Sequence, residues 1–135
     1  MTTKPWNDEL LAAYLAHGAR DRAHAAESGL EWAFGRVDDI IREAPPAEAL
    51  QLALELVQRT PDEKLDEQLL AYVAKGPIED VLCKHGSAVL EPLLAAADRD
   101  PRVRVALECT WGWNRMDAAV WQRLQAAIAS WQIQH

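Results

Sequence analysis

The stretch from residue 75 to residue 115 carries the clearest helix-ending and helix-starting signals in the chain. Gly76-Pro77, His85-Gly86 and Asp100-Pro101 follow one another within it. Proline in the first turn of a helix costs no intrahelical hydrogen bond, and glycine just past a helix end adopts positive φ without a Cβ clash. We therefore predict a helix ending at Gly76-Pro77, a short helix from Pro77 to His85, and a further helix that Asp100 caps.

Apolar side chains elsewhere recur at helical spacing. Asn7 is expected to cap a first helix, Ser87 a middle one, and Asp117 to begin the last. No segment alternates polar and apolar residues as a strand does, so the predicted class is all-α. The strongest stripe, with spacings of three and four, predicts one buried helix face and consists of Leu30, Ala33, Phe34, Val37, Ile40, Ile41 and Ala44.

Prolines at predicted helix starts and short connections favour antiparallel helical hairpins, about seven or eight helices in all. A short HEAT-like solenoid of stacked hairpins fits this pattern, and an irregular helical bundle is the alternative. The chain of 135 residues is about one domain long, so we expect residues 1–135 to form a single helical domain.

Part of this pattern is similar to a known family. The matching residues are Gly76-Pro77-Ile78-Glu79-Asp80-Val81-Leu82, His85-Gly86, Asp100-Pro101-Arg102, Ala106-Leu107 and Trp111, with Val120-Trp121 as a weaker match. In these positions the chain resembles a family of small bacterial proteins that is known only as a domain of unknown function. The resemblance covers residues 75–121; it implies a compact helical domain and no particular reaction.

The charge is negative and unevenly distributed. The net charge is −7, and residues 1–80 hold 16 acidic and 8 basic residues against 5 and 6 in residues 81–135. Affinity for nucleic acid depends on neutralising phosphates, so an acidic chain argues against a nucleic-acid partner. An acidic surface attracts basic partners instead. A protein partner, and a basic one in particular, is therefore the expectation.

Other features set the expected environment. No apolar run reaches the length of a membrane span, and the first ten residues have no signal-peptide core, so we expect a cytoplasmic protein with no membrane association. Cys83 and Cys109 stand 26 positions apart without a CxxC pair. Both are interpreted as reduced, small apolar residues.

The polar residues of the signature are the candidates for chemistry. Each also has a structural interpretation: acidic residues in a first turn complement the helix dipole, Asp80 can pair with Lys84 or with an arginine of the next helix, and a histidine on an apolar stripe usually bonds a backbone carbonyl. Cys83 and His85 point in different directions on a helix, which disfavours a metal site. The candidate residues are Glu79, Asp80, His85, Arg102 and Arg104.

Tryptophan is unusually frequent, with six copies against one Phe and two Tyr. Trp113 lies in the predicted turn between two helices, next to Arg115. Tryptophan and arginine dominate the energetic centres of protein interfaces, so this pair is a candidate binding edge. The alternative is a Trp113 side chain folded over its own hairpin.

These observations favour a non-catalytic protein–protein interaction module, such as an adaptor or an inhibitor or immunity protein, that uses Trp113 and Arg115. No nucleophile, phosphate-loop or metal motif is present, so neither a cofactor nor a metal is expected. The alternative is a small-molecule or metal-dependent activity at the five polar candidates above. Self-association through the tryptophan-rich edge is a further possibility.

Overall fold

The computed structural model describes residues 4–18, 29–60, 67–110 and 115–133. Within these ranges the regular structure is entirely helical, as predicted. The elements in order are α1 (Asp8–Gly18), α2 (Glu31–Glu43), α3 (Pro46–Gln58), α4 (Glu67–Val73), a π-helical turn (Ala74–Ile78), α5 (Glu79–Arg99), α6 (Pro101–Glu108) and α7 (Ala118–Ile133). Helix α4, the π turn and α5 follow one another directly, so the described chain forms six separate helical bodies.

Three predicted helix starts are confirmed by their hydrogen bonds. The Asn7 side chain accepts from the backbone N–H of Leu10 at 3.0 Å, and Asp117 accepts from the residue two positions on at 2.9 Å. Asp100 accepts from the N–H of Arg102 at 2.9 Å. Each carboxylate or amide satisfies an N–H that has no partner inside its own helix.

Gly76-Pro77 does not end a helix, contrary to the prediction. The chain continues through the π turn, with Pro77 inside it. Proline has no N–H for the carbonyl four residues earlier, and its ring would collide with that carbonyl in an α-helix. In a π turn each backbone hydrogen bond closes over one more residue than in an α-helix. This moves that carbonyl away from the proline ring.

The helix end predicted at His85-Gly86 coincides with a sharp break in α5. Gly86 has φ 19° and ψ −97°, which are not helical values, so two helical segments meet at a kink where one helix was predicted to end and the next to begin. Ser87 directly follows the kink, at the start of the second segment. A Cβ at Gly86 would lie 3.3 Å from the Cγ2 atom of Val120, so the glycine also permits tight packing of α7 on the kink.

Helix α5 lies at the centre of the bundle and contacts α2, α3, α6 and α7. Its buried side chains join one apolar core that receives residues from every α-helix. In a solenoid each hairpin contacts only its neighbours, whereas here α1 also contacts α3 and α4. The architecture is therefore an irregular bundle, and the HEAT-like interpretation is not supported. No helix in the described ranges has the length and apolar character needed to cross a membrane.

Candidate interaction surface

The structure joins three of the predicted site residues. Arg115, just before α7, donates from Nη1 to Oε1 of Glu79 and from Nη2 to Oδ1 of Asp80, both at 3.0 Å. Glu79 is buried, and the Arg115 side chain is half exposed. The sequence offered Lys84, Arg102 or Arg104 as partners for these carboxylates. The actual partner is Arg115, a residue of the separately predicted binding edge.

Burial affects the protonation of this cluster. It raises the pKa of the Asp80 carboxyl, while the hydrogen bond and charge of Arg115 oppose the rise. Burial likewise raises the pKa of the Cys83 thiol. A thiol with a raised pKa is mostly protonated at neutral pH and is a poor nucleophile. The cluster therefore has the character of a structural ion pair beside an unreactive cysteine.

His85 has a structural bond. Its Nε2 atom lies 2.9 Å from the carbonyl oxygen of Ile41, which is one of the last four carbonyls of α2 and lacks a partner inside that helix. A ring N–H that donates to this oxygen ties α5 to the end of α2. This is the bond expected of a packed histidine.

Arg102 performs a similar task at the end of α3. Its Nη1 donates to the carbonyl oxygens of Gln58 at 2.9 Å and Thr60 at 3.2 Å, and its side chain pairs with Asp100. Arg104 is half-buried on α6 and forms no ion pair with any described residue. The polar candidates are thus divided among separate structural bonds: Arg102 and His85 share no partner with Arg115.

Trp113 lies outside the described residues, so its predicted role stays a prediction. Among the residues that are described, no three His, Cys, Asp or Glu side chains are grouped closely enough to hold a metal ion.

A cluster of aromatic side chains lies between α1 and α4. The rings of Tyr14 and Tyr72 pack with their centroids 5.0 Å apart, and the Tyr72 hydroxyl lies 2.8 Å from Nδ1 of His17. Burial, followed by the proximity of Tyr72, raises the pKa of Tyr14 above its ordinary value. Phe34 stacks on Tyr14 with ring centroids 6.3 Å apart, yet it is 48% exposed. The prediction that Phe34 belongs to the buried stripe of α2 is therefore wrong.

The other side of α2 borders an open groove of about 850 Å³. The N-terminal segment forms its opposite wall, where Trp6 is buried and donates from Nε1 to Glu55 at 2.9 Å. Trp32 is 50% exposed at the rim. The residues lining the groove are Lys4, Pro5, Trp6, Asn7, Leu10, Trp32, Gly35, Arg36 and Asp39.

Gly35 leaves the α2 side of the groove open. A Cβ built on it would meet no atom within 4 Å. Glycine inside a helix costs about 0.5–1 kcal/mol relative to alanine. Nothing in the packing of the described residues requires that cost, whereas close approach of another molecule to the backbone is one reason for a glycine at such a place.

Sequence reasoning missed this groove. Trp32, Gly35, Arg36 and Asp39 recur at spacings of three and four, but they lie beside the apolar stripe instead of on it. A tryptophan outside the stripe of its own helix was the available signal. The second wall comes from residues 4–7, and the sequence does not reveal that they pack across α2.

The comparison with protein families confirms the resemblance and extends it. The model for a family of unknown function, DUF6869, matches residues 20–131, beyond the predicted signature of residues 75–121. The chain belongs to this family. No curated protein and no solved structure matches the chain.

Proposed function

We propose that this member of the DUF6869 family is a non-catalytic protein–protein interaction module that binds its partner through the groove between α2 and residues 4–7. The observation that carries the proposal is the half-exposed Trp32 at the rim of an open groove beside Gly35. The proposal assigns to this groove the binding role predicted for Trp113 and Arg115.

The energetics of tryptophan support a binding role. A tryptophan side chain is large and rigid, and its burial against a partner removes much apolar area from water at little cost in side-chain entropy. Trp32 is 50% exposed in the free chain, so a partner can bury the remaining area. The groove volume of about 850 Å³ is enough to receive several side chains of a partner.

The bonds of the polar candidates favour binding over catalysis. Arg115 is engaged with Glu79 and Asp80, and His85 is engaged with a helix-end carbonyl. A catalytic site needs several polar groups that converge on one pocket. These side chains instead join pairs of helices, which accounts for their position in the signature without any reaction.

Site-specific photocrosslinking tests the proposal. A photoreactive amino acid replaces Gly35 in one protein and Ala129, which is exposed on α7, in a matched control, and both are irradiated in extracts of the native host. We expect a protein captured at position 35 and absent at position 129. That protein is then purified, and its binding to the unmodified chain is measured by calorimetry.

Two variants decide the result. Trp32→Ala should weaken binding of the purified partner at least about tenfold, as expected for an interface anchor. Ile133→Ala is the control because this side chain is also apolar and 85% exposed, and it should leave the affinity unchanged. Equal capture at both positions, or equal affinity of Trp32→Ala and wild type, would contradict the proposal.

A further inference from the structure

The groove continues beyond its aromatic end. A second, smaller hollow of about 200 Å³ adjoins it at Pro5 and Arg36, which line both. This second hollow lies along the C-terminal half of α2 and reaches the first turn of α3 at Glu48. The two hollows are neighbours along one side of α2, from Trp32 to Glu43, and together they are called the α2 surface.

The two ends of this surface differ in character. At the first end, Trp32 forms an apolar rim, and Gly35 leaves the helix backbone uncovered by a side chain. Glu43 and Glu48 give the second end two carboxylates that have no basic partner among the described residues. An unpaired carboxylate pair near an apolar site attracts a lysine or arginine of a partner.

The middle of the surface supplies hydrogen-bond donors. Arg36 donates from Nη2 to the carbonyl oxygen of Pro5 at 3.3 Å, and a guanidinium has five N–H groups. The remaining donors can bind backbone carbonyls of a segment that crosses this point. The two neighbouring charges are already paired, Lys4 with Glu55 and Asp39 with Arg42.

The length of the surface determines how far apart the two contacting side chains lie along the partner. Trp32 and Glu43 are separated by about 16 Å along the helix axis at 1.5 Å per residue. An extended chain covers about 3.3 Å per residue, so this distance corresponds to about five residues.

We propose that the surface binds an extended segment of a partner protein that carries a bulky apolar anchor and, about five residues away, a lysine or arginine. The anchor packs on Trp32 above Gly35, and the cation pairs with Glu43 and Glu48. This inference rests on the proposed function, and it specifies the class of partner.

Selection from a display library of random peptides tests the proposal. The library is selected on the purified full chain, without counter-selection, and the selected peptides are then tested on Gly35→Gln, whose uncharged side chain projects into the empty space at the groove. Gly35→Ala is the matched control, since a methyl group occupies little of that space. Selected peptides are then synthesised, and their affinities are measured by fluorescence anisotropy at low and high salt.

We expect selected peptides to share an apolar anchor with a Lys or Arg four to six positions away. Gly35→Gln should weaken binding at least about tenfold, and Gly35→Ala by less than about twofold. The double variant Glu43→Gln/Glu48→Gln should weaken it about threefold to tenfold at low salt and less at high salt. Glu91→Gln/Glu108→Gln, with the same charge change outside the groove, should have little effect.

Three outcomes would overturn the proposal. Peptides that bind Gly35→Gln as well as wild type would place the binding site elsewhere. Peptides that lose binding to Gly35→Gln but carry no cation and show no salt dependence would refute the basic class of partner and leave the proposed interaction function intact. A dimer of the chain that Gly35→Gln dissociates in sedimentation experiments would show that a second copy occupies the groove.

Discussion

Oδ1 of Asp80 lies 3.0 Å from Nη2 of Arg115, and this contact joins the first turn of α5 to the segment that leads into α7. Acidic residues in a first helical turn are stabilised by the helix dipole alone. Here an arginine 35 positions later also binds one of them and its neighbour Glu79. The signature Glu79-Asp80 therefore has a tertiary partner that local sequence does not indicate.

Arg115→Ala should lower the free energy of unfolding by about 1–2 kcal/mol, because it removes a charge-assisted partner from the buried carboxylate of Glu79. Urea denaturation measures the change. Arg123→Ala is the control, since its ion pair with Glu91 is exposed on both sides and should contribute less than about 1 kcal/mol. Equal losses in the two variants would show that burial of Glu79 does not matter.

Asp80 should make stability depend on pH. Burial raises its pKa in the folded state, so the folded chain binds this proton more tightly than the unfolded chain does. Its contribution to the free energy of unfolding therefore falls as pH rises from the ordinary carboxyl pKa through the raised one. Asp80→Asn removes that contribution. Urea denaturation at several pH values should show the variant gaining stability relative to wild type as pH rises through this window; a constant difference would contradict the prediction.

Two glycines should respond to alanine in opposite directions. The added Cβ of Gly35→Ala meets no atom within 4 Å. This variant should stabilise the protein by about 0.5–1 kcal/mol, because alanine loses less backbone entropy than glycine when a helix forms. Gly86→Ala places a methyl group 3.3 Å from Val120 at a non-helical kink and should destabilise by about 1–2 kcal/mol. Thermal denaturation of both variants measures the signs. Stabilisation by Gly86→Ala would show that the kink is not needed.

Tyr72→Phe should cost about 1 kcal/mol of stability, the usual net value of one hydrogen bond. The Tyr72 hydroxyl lies 2.8 Å from Nδ1 of His17, and the variant removes this bond while keeping the ring that packs on Tyr14. Denaturation of Tyr72→Phe, His17→Phe and the double variant gives the coupling energy of the pair. Additive losses would contradict a hydrogen bond between the two side chains.

Local sequence determined the helical class and several helix starts. Asn7 and Asp100 cap the helices that they were predicted to cap, and Asp117 caps the helix that it was predicted to begin, since a cap bond spans only two or three residues. The family signature was also recognisable because its Gly, Pro and His positions have fixed spacing. The packed role of His85 followed from its place on an apolar stripe, although its partner Ile41 did not.

Tertiary structure decided the rest. Gly76-Pro77 ends a helix by local rules, but in the bundle the chain continues through a π turn between α4 and α5, which both contribute side chains to the core. Phe34 and Trp32 flank the buried stripe of α2, and their exposure depends on where α1 and residues 4–7 lie. Such contacts join residues far apart in sequence, and their free energy comes from burial and charge pairing that no local pattern encodes.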